Sequence, residues 1–195
     1  MQVLALETST SMTSWSASIN GKIVAGEELE GPASFVLTPS IANHLDQEMR
    51  FDLILVGVGP GSFAGIRAGI ATAQGLAQGW NADIKSVMST HALGLEYRQV
   101  SFLGIFGDAR RGKVVFTAYE KGVYTRPPQL IDPAELDHHL SKCSLAVSTD
   151  GLPGVPGKAC PKSSYLIDWF HQYGADLDLA LEPVYLHPPM SVPKS

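Results

Sequence analysis

Three short polar clusters carry the residue types that could hold an anion or take part in a reaction. Gly59-Pro60-Gly61-Ser62 leads out of an apolar run into a stretch of small residues. Backbone N–H groups and the helix dipole at such a strand-to-helix turn can hold a phosphate. The same pattern fits a tight structural turn. No Gly-Lys-Ser/Thr follows it, and Ser62 stands where a dinucleotide fingerprint needs its third glycine. Glu7-Thr8-Ser9-Thr10 offers hydroxyls and amides to a phosphate, or is a solvated turn. At the matching point of the second half, Asp108-Ala109-Arg110-Arg111 reads either as an oxyanion contact, to which Arg110 is suited, or as a surface ion pair. The expected nucleotide or phosphate set is therefore Glu7, Thr8, Ser9, Thr10, Gly59, Gly61, Ser62, Asp108 and Arg110.

Other chemistries find no support. His44, His91, His138, His139, His171 and His187 form no HxxxH or HExxH pair, so no metal site built on one helix is expected. No GxSxG elbow occurs, and no catalytic residue is assigned. Cys143 and Cys160 lack zinc-like spacing and read as free thiols of a reducing compartment.

A helix of small residues must follow the glycine turn, over about residues 64–79. Gly65, Gly69 and Ala73 lie four apart, with Ala68, Thr72 and Leu76 on the same side. Glycine inside a helix costs roughly 0.8–1 kcal/mol relative to alanine. Close approach of another backbone can offset that cost through dispersion contacts. That backbone belongs either to the chain's own sheet or to a second chain. The second reading makes Gly65, Ala68, Gly69, Thr72, Ala73 and Leu76 a partner interface, and a bulky residue at Gly69 should then block pairing.

The remaining pattern supplies the elements that position these clusters. Residues 3–6 and 15–19 read as strands, and Asn20-Gly21 as a tight hairpin turn into a strand at 22–25. Residues 36–49 carry Leu37, Ile41, Leu45 and Met49 at helical spacing, with Pro39 near the first turn. Residues 52–58 suit a strand buried on both faces. A strand at 84–88 and a helix at 90–98 follow. The pattern restarts near residue 102: apolar 102–106, a polar turn, a strand at 114–119, Lys121-Gly122, and a strand at 123–124. A helix from Asp132 to about Leu140, a strand at 145–147, a Gly/Pro-rich loop at 151–161 and a helix at 163–173 capped by Ser163 or Ser164 complete it. The last dozen residues, with Pro188, Pro189 and Pro193, read as irregular. Strand, polar turn, strand, glycine turn, strand thus occurs twice. This predicts two related α/β lobes, residues 1–100 and 101–195.

Composition narrows the partners. The 195-residue chain is 45% hydrophobic, with 14 Lys and Arg against 19 Asp and Glu and a formal net charge of -5. No basic stripe is present, so any link to RNA should be indirect. No apolar run approaches the roughly 20 residues a membrane helix needs, and no signal peptide is read at Met1, so a cytoplasmic location is expected.

Several of these residues resemble one family. Leu4-Ala5-Leu6-Glu7-Thr8-Ser9-Thr10 is similar to the opening "LALDTST" of the TsaB (YeaZ) family. The stretch from Gly57 to Gly69 resembles its "GxGPGSFTGLRxG" signature, and Ala71-Thr72-Ala73-Gln74-Gly75-Leu76-Ala77 its "ATAKGLA" continuation. Asp108-Ala109-Arg110 is similar to "DARRGE", and Pro183-Val184-Tyr185-Leu186 to the "PxYLR" tail. Glu7 stands where Asp is usual, Ala64 replaces Thr, Ala33-Ser34-Phe35 lacks the family's His, and His187 replaces the terminal Arg.

The resemblance implies a two-lobed actin-like ATPase (ribonuclease H-like) fold with mixed sheets flanked by helices. It implies a non-catalytic scaffold in threonylcarbamoyl modification of tRNA adenosine. That scaffold would pair with a TsaD-like paralogue through the small-residue helix, or with itself as a homodimer, and a TsaE-like ATPase would join the pair. By itself the chain would need no cofactor, with weak ATP or ADP and Mg at the partner interface. The alternative is a small ATPase or kinase of the same fold, using Glu7 and Asp108 as metal-linked carboxylates. A metallopeptidase is a third class, to be closed by elemental analysis.

Overall fold

Tight turns with positive φ at both central residues punctuate the chain, and they fall at equivalent points in its two halves. Asn20 and Gly21 (φ 51° and 80°) join β2 (Met12–Ile19) to β3 (Lys22–Glu30). Lys121 and Gly122 (φ 48° and 78°) join β7 (Val114–Glu120) to β8 (Val123–Ile131). Both match the right-handed twist that two-residue hairpins require. The computed structural model describes residues 1–46, 48–174 and 179–187.

Each half forms one five-stranded mixed sheet. With β1 (Gln2–Glu7), β4 (Leu53–Gly57) and β5 (Asp83–Val87), the first runs β3-β2-β1-β4-β5. With β6 (Leu103–Asp108), β9 (Leu145–Ser148) and β10 (Gly157–Lys158), the second runs β10-β9-β6-β7-β8. In both, the first three strands are antiparallel and the next two join in parallel beside the first strand. Repetition of one order and one set of directions is the two-lobed actin-like arrangement.

The central strands are apolar because both faces are covered. Leu4, Leu6, Ile54 and Val56 point toward α1 (Ala33–His44) and α2 (Phe63–Trp80); Val3, Ala5, Leu53 and Leu55 point the other way. That second layer includes α3 (Ser89–Glu96) and α5 (Ser163–Tyr173), with Ala92, Leu95, Leu166, Ile167 and Trp169 in one core. The helix α5 follows the second sheet in sequence yet covers the first. Ser163 N–H donates to Ser14 Oγ, and its hydroxyl bonds Ser16 Oγ.

Several boundaries differ from expectation. Helix α1 starts at Ala33, so Pro39 lies in its interior. Phe35 and Pro39 are both exposed, where water can serve the carbonyl that lost its N–H partner. Leu45 and Met49 pack on the core from beyond the helix end. Strand β8 is nine residues long despite Pro127 and Pro128, which an edge strand tolerates. Strand β3 also runs to Glu30 as an edge strand, with glutamates that discourage further pairing. The expected helix from Asp132 is a 3₁₀ turn at Pro133–Glu135 followed by a short α4 (Leu136–Leu140). No serine caps α5; Lys162 is the N-cap residue, because the Ser163 side chain is held by β2. Residues 188–195, expected to be irregular, lie outside the described residues. No described helix is long and apolar enough to cross a membrane.

Candidate functional site

The end of β1 meets the end of β4 and the start of α2 along a seam of four glycines, Gly57, Gly61, Gly65 and Gly69, each four residues from the next. A Cβ on Gly57 would collide with the Glu7 carboxylate, one on Gly61 with the carbonyl of Ser9, and one on Gly65 with the carbonyl of Thr8. At Gly69 it would lie 2.5 Å from Thr8 Oγ1. Ser62 N–H donates to Ser9 O at 2.6 Å, and Ser62 Oγ caps α2 by accepting from Gly65 N–H. Gly65 and Gly69 are therefore required by the chain's own β1–β2 turn. Their cost in helix propensity is accounted for without a second polypeptide.

Inside this seam sit polar groups with little satisfaction. Glu7 and Thr8 are fully buried. Glu7 Oε1 accepts from Ser9 N–H at 2.7 Å. Among the described residues, Glu7 Oε2, Thr8 Oγ1 and Ser9 Oγ have no hydrogen-bond partner. Burial pushes the Glu7 carboxyl up, and the Ser9 N–H bond to Oε1 opposes this only in part. A folded pKa above the unfolded one contributes stability below pH 4.5 that is lost as pH rises through the folded value. Glu7→Gln should therefore raise the thermal midpoint relative to wild type more at pH 8 than at pH 4, by calorimetry. An equal shift at both values would mean that Glu7 is not protonated more readily when folded.

Above the seam, between the carboxyl ends of the two sheets, opens a cleft of about 1370 Å³. Ser9, Thr10, Gly61, Ser62, Asp108 and Arg110 line it; Glu7, Thr8 and Gly59 do not. The expected phosphate set thus divides into residues facing the cleft and residues sealed behind it. Asp108 Oδ1 accepts from Arg110 N–H at 2.7 Å, and its Oδ2 pairs with Arg110 Nη1 at 2.9 Å. Arg111 of the same polar turn also lines it, as do Thr149, Asp150, Lys158 and His187, which were not expected from sequence. Asp150 Oδ2 accepts from Asp108 N–H at 2.7 Å. The polar run Ser148-Thr149-Asp150 ending an apolar strand is the signal that could have found it. Among the described residues, no group of three or more His, Cys, Asp or Glu is placed to hold a metal.

The expected interface residues also divide. Gly69 and Ala73 are buried under the turn and sheet, while Gly65, Ala68, Thr72 and Leu76 are half-buried. The exposed residues of α2 are Phe63, Ala64, Arg67, Ala71, Gln74, Gly75, Gln78 and Gly79. A Cβ on Gly75 or Gly79 would meet nothing within 4 Å.

A family model described as "TsaD: tRNA N6-adenosine threonylcarbamoyltransferase" matches residues 37–148. The fold is that of YeaZ from Pseudomonas aeruginosa, with TM-score 0.73 and 20% identity over 95% of this chain and 99% of that one. The uncharacterized protein Rv3421c of Mycobacterium tuberculosis is 27% identical over 98% of this chain and 94% of its own length. The uncharacterized protein ML0378 of Mycobacterium leprae is 33% identical over 52% of this chain, a match spanning only 29% of that protein.

Proposed function

This chain belongs to the TsaD tRNA N6-adenosine threonylcarbamoyltransferase family, and on that premise we propose that it is a TsaB-like scaffold in tRNA modification, pairing with a TsaD-like paralogue through the outer face of α2. The observation that carries this reading is the pair of glycines at 75 and 79. Both lie on the exposed face of α2, and among the described residues neither has a neighbour that a side chain would disturb. Gly75, inside the helix, costs about 0.8–1 kcal/mol; Gly79, in the last turn, costs less. A second backbone seated on Ala71, Gly75 and Gly79 would offset that cost by close contact. The paralogue is the chosen occupant, a second copy of this chain can use the same face, and a TsaE-like ATPase joins the pair. With a net charge of -5, contact with tRNA runs through the partner.

Gly75→Trp tests this. The site is open, so the variant should fold as the wild type does, and size-exclusion chromatography with the paralogue should show separate peaks. Retained pairing would remove α2 as the interface. Gly69→Trp is unsuitable, because the Thr8 side chain fills that space and the fold itself would fail.

A second reading, an ATPase or kinase acting by itself, is favoured by the cleft at the carboxyl ends of both sheets. Its carboxylates fit a metal poorly. Glu7 is sealed against Gly57, and both oxygens of Asp108 are engaged by Arg110. Ser9, Thr10 and Ser62 with Arg111 and Lys158 offer instead a phosphate contact without metal, suited to weak ATP or ADP. Calorimetry with Mg-ATP discriminates: tight binding by the isolated chain would favour the enzyme and count against the scaffold.

A further inference from the structure

Residues 179–187 bridge the two sheets beside the cleft, which residues 183–187 line, and are fastened far more firmly at one side than at the other. On the first sheet, Ser86 Oγ donates to Ala180 O at 3.1 Å, and Val184 N–H donates to Val58 O at 2.9 Å. Leu181 and Val184 pack on the core beneath, and the Tyr185 ring lies 5.7 Å from that of Phe63. On the second sheet's side, among the described residues, one hydrogen bond holds the segment: His187 Nε2 to the carbonyl of Ala109, at 2.7 Å. A carbonyl only accepts, so Nε2 carries the proton.

The partner of that bond is itself a constrained turn. Ala109 precedes Arg110, Arg111 and Gly112, whose φ values are 63°, 52° and 68°. Two consecutive non-glycine residues in the left-handed region are held only where the surroundings determine them. The segment also passes over the carboxyl ends of β5 and β4, where open α/β sheets take their ligands.

We infer that residues 179–187 form a strap with a fixed end on the first sheet and a releasing end on the second, and that the His187–Ala109 bond is the latch that controls access to the cleft. Release at His187 parts the strap from the 109–112 turn and widens the entrance, while the anchors at Ala180 and Val184 keep the strap attached. This device is independent of what binds α2.

The protein carries its own reporter pair. Cys160 lines the cleft, whereas Cys143 lies behind β6 against Gly104. Full-length wild type, His187→Ala and His187→Gln are treated with iodoacetamide, and each thiol is followed by peptide mass spectrometry. Loss of one net hydrogen bond at the latch should raise the open population, and the Cys160 alkylation rate with it, about fivefold in His187→Ala. Cys143 should keep its wild-type rate. The Gln variant retains an N–H donor and should stay near wild type. The latch is refuted if Cys160 does not accelerate in His187→Ala, if both thiols accelerate together as in general loosening, or if Gln behaves as Ala does.

Discussion

Alanine at Gly65 is expected to destabilise this protein by about 3 kcal/mol, while alanine at Gly75, ten residues along the same helix, is expected to stabilise it by about 0.8–1 kcal/mol. The two substitutions make the same chemical change in the same element and differ only in what the new methyl group meets. At Gly65 it meets the Thr8 carbonyl, a backbone atom fixed by the β1–β2 turn. Relief would require the turn and the α2 N-terminus to separate, and Ser62 N–H is bonded to the next carbonyl along, that of Ser9. At Gly75 the methyl group meets nothing, so only the gain in helix propensity remains. For a chain of this size about 1 kcal/mol moves the thermal midpoint by roughly 2–4 °C. Scanning calorimetry should therefore show a fall of roughly 6–12 °C for Gly65→Ala and a small rise for Gly75→Ala. If both midpoints rose, the glycine seam would not be the reason for Gly65. A rise for Gly75→Ala together with weaker pairing to a paralogue would also separate the helix's own stability from the role proposed for its outer face.

Acid is expected to weaken the fold through His91 by about 3 kcal/mol between neutrality and pH 4. Its imidazole lies flat on the Trp169 ring, 3.9 Å away at 7°, where α3 meets α5. Nδ1 is 2.8 Å from the Tyr119 hydroxyl, which is in turn 2.9 Å from Thr90 Oγ1. Burial lowers the His91 pKa from 6.5 to about 4, and burial raises that of Tyr119 well above its ordinary value. A neutral imidazole can accept from the phenol at Nδ1 while Thr90 donates to the phenolic oxygen. Because the folded pKa is below the unfolded one, the unfolded chain binds the proton more readily. The contribution is full above pH 6.5 and is lost as pH falls toward about 4. Glu7 acts in the opposite sense, gaining stability as it protonates, so the wild-type profile alone is a mixture. The clean measurement is the urea midpoint of His91→Gln and of wild type across this range. Their difference should shrink as pH falls, since only the wild type loses stability by protonating His91. A constant difference would show that His91 does not carry the acid sensitivity.

Much of the architecture was legible in the sequence, and the legible parts are local. Asn20-Gly21 announces a hairpin because both positions need positive φ, a property of the residues themselves. The apolar run around Leu53–Gly57 announces a strand covered on both faces, and the twice-repeated strand pattern announces two lobes of one design. The stretch from Gly57 to Ala77 is specific enough to suggest the family by its residues alone. Tertiary structure decided the rest. It put α5 on the sheet of the other half, joined Asp150 to Asp108 across parallel strands, and brought residues 183–187 into the wall of the cleft. It also separated glycines that look alike in sequence: Gly65 and Gly69 are filled by Thr8, whereas Gly75 and Gly79 face open space. Propensity and periodicity act over a few residues, so they can mark a glycine as costly. What offsets that cost lies more than fifty residues away along the chain, and only packing in three dimensions selects it.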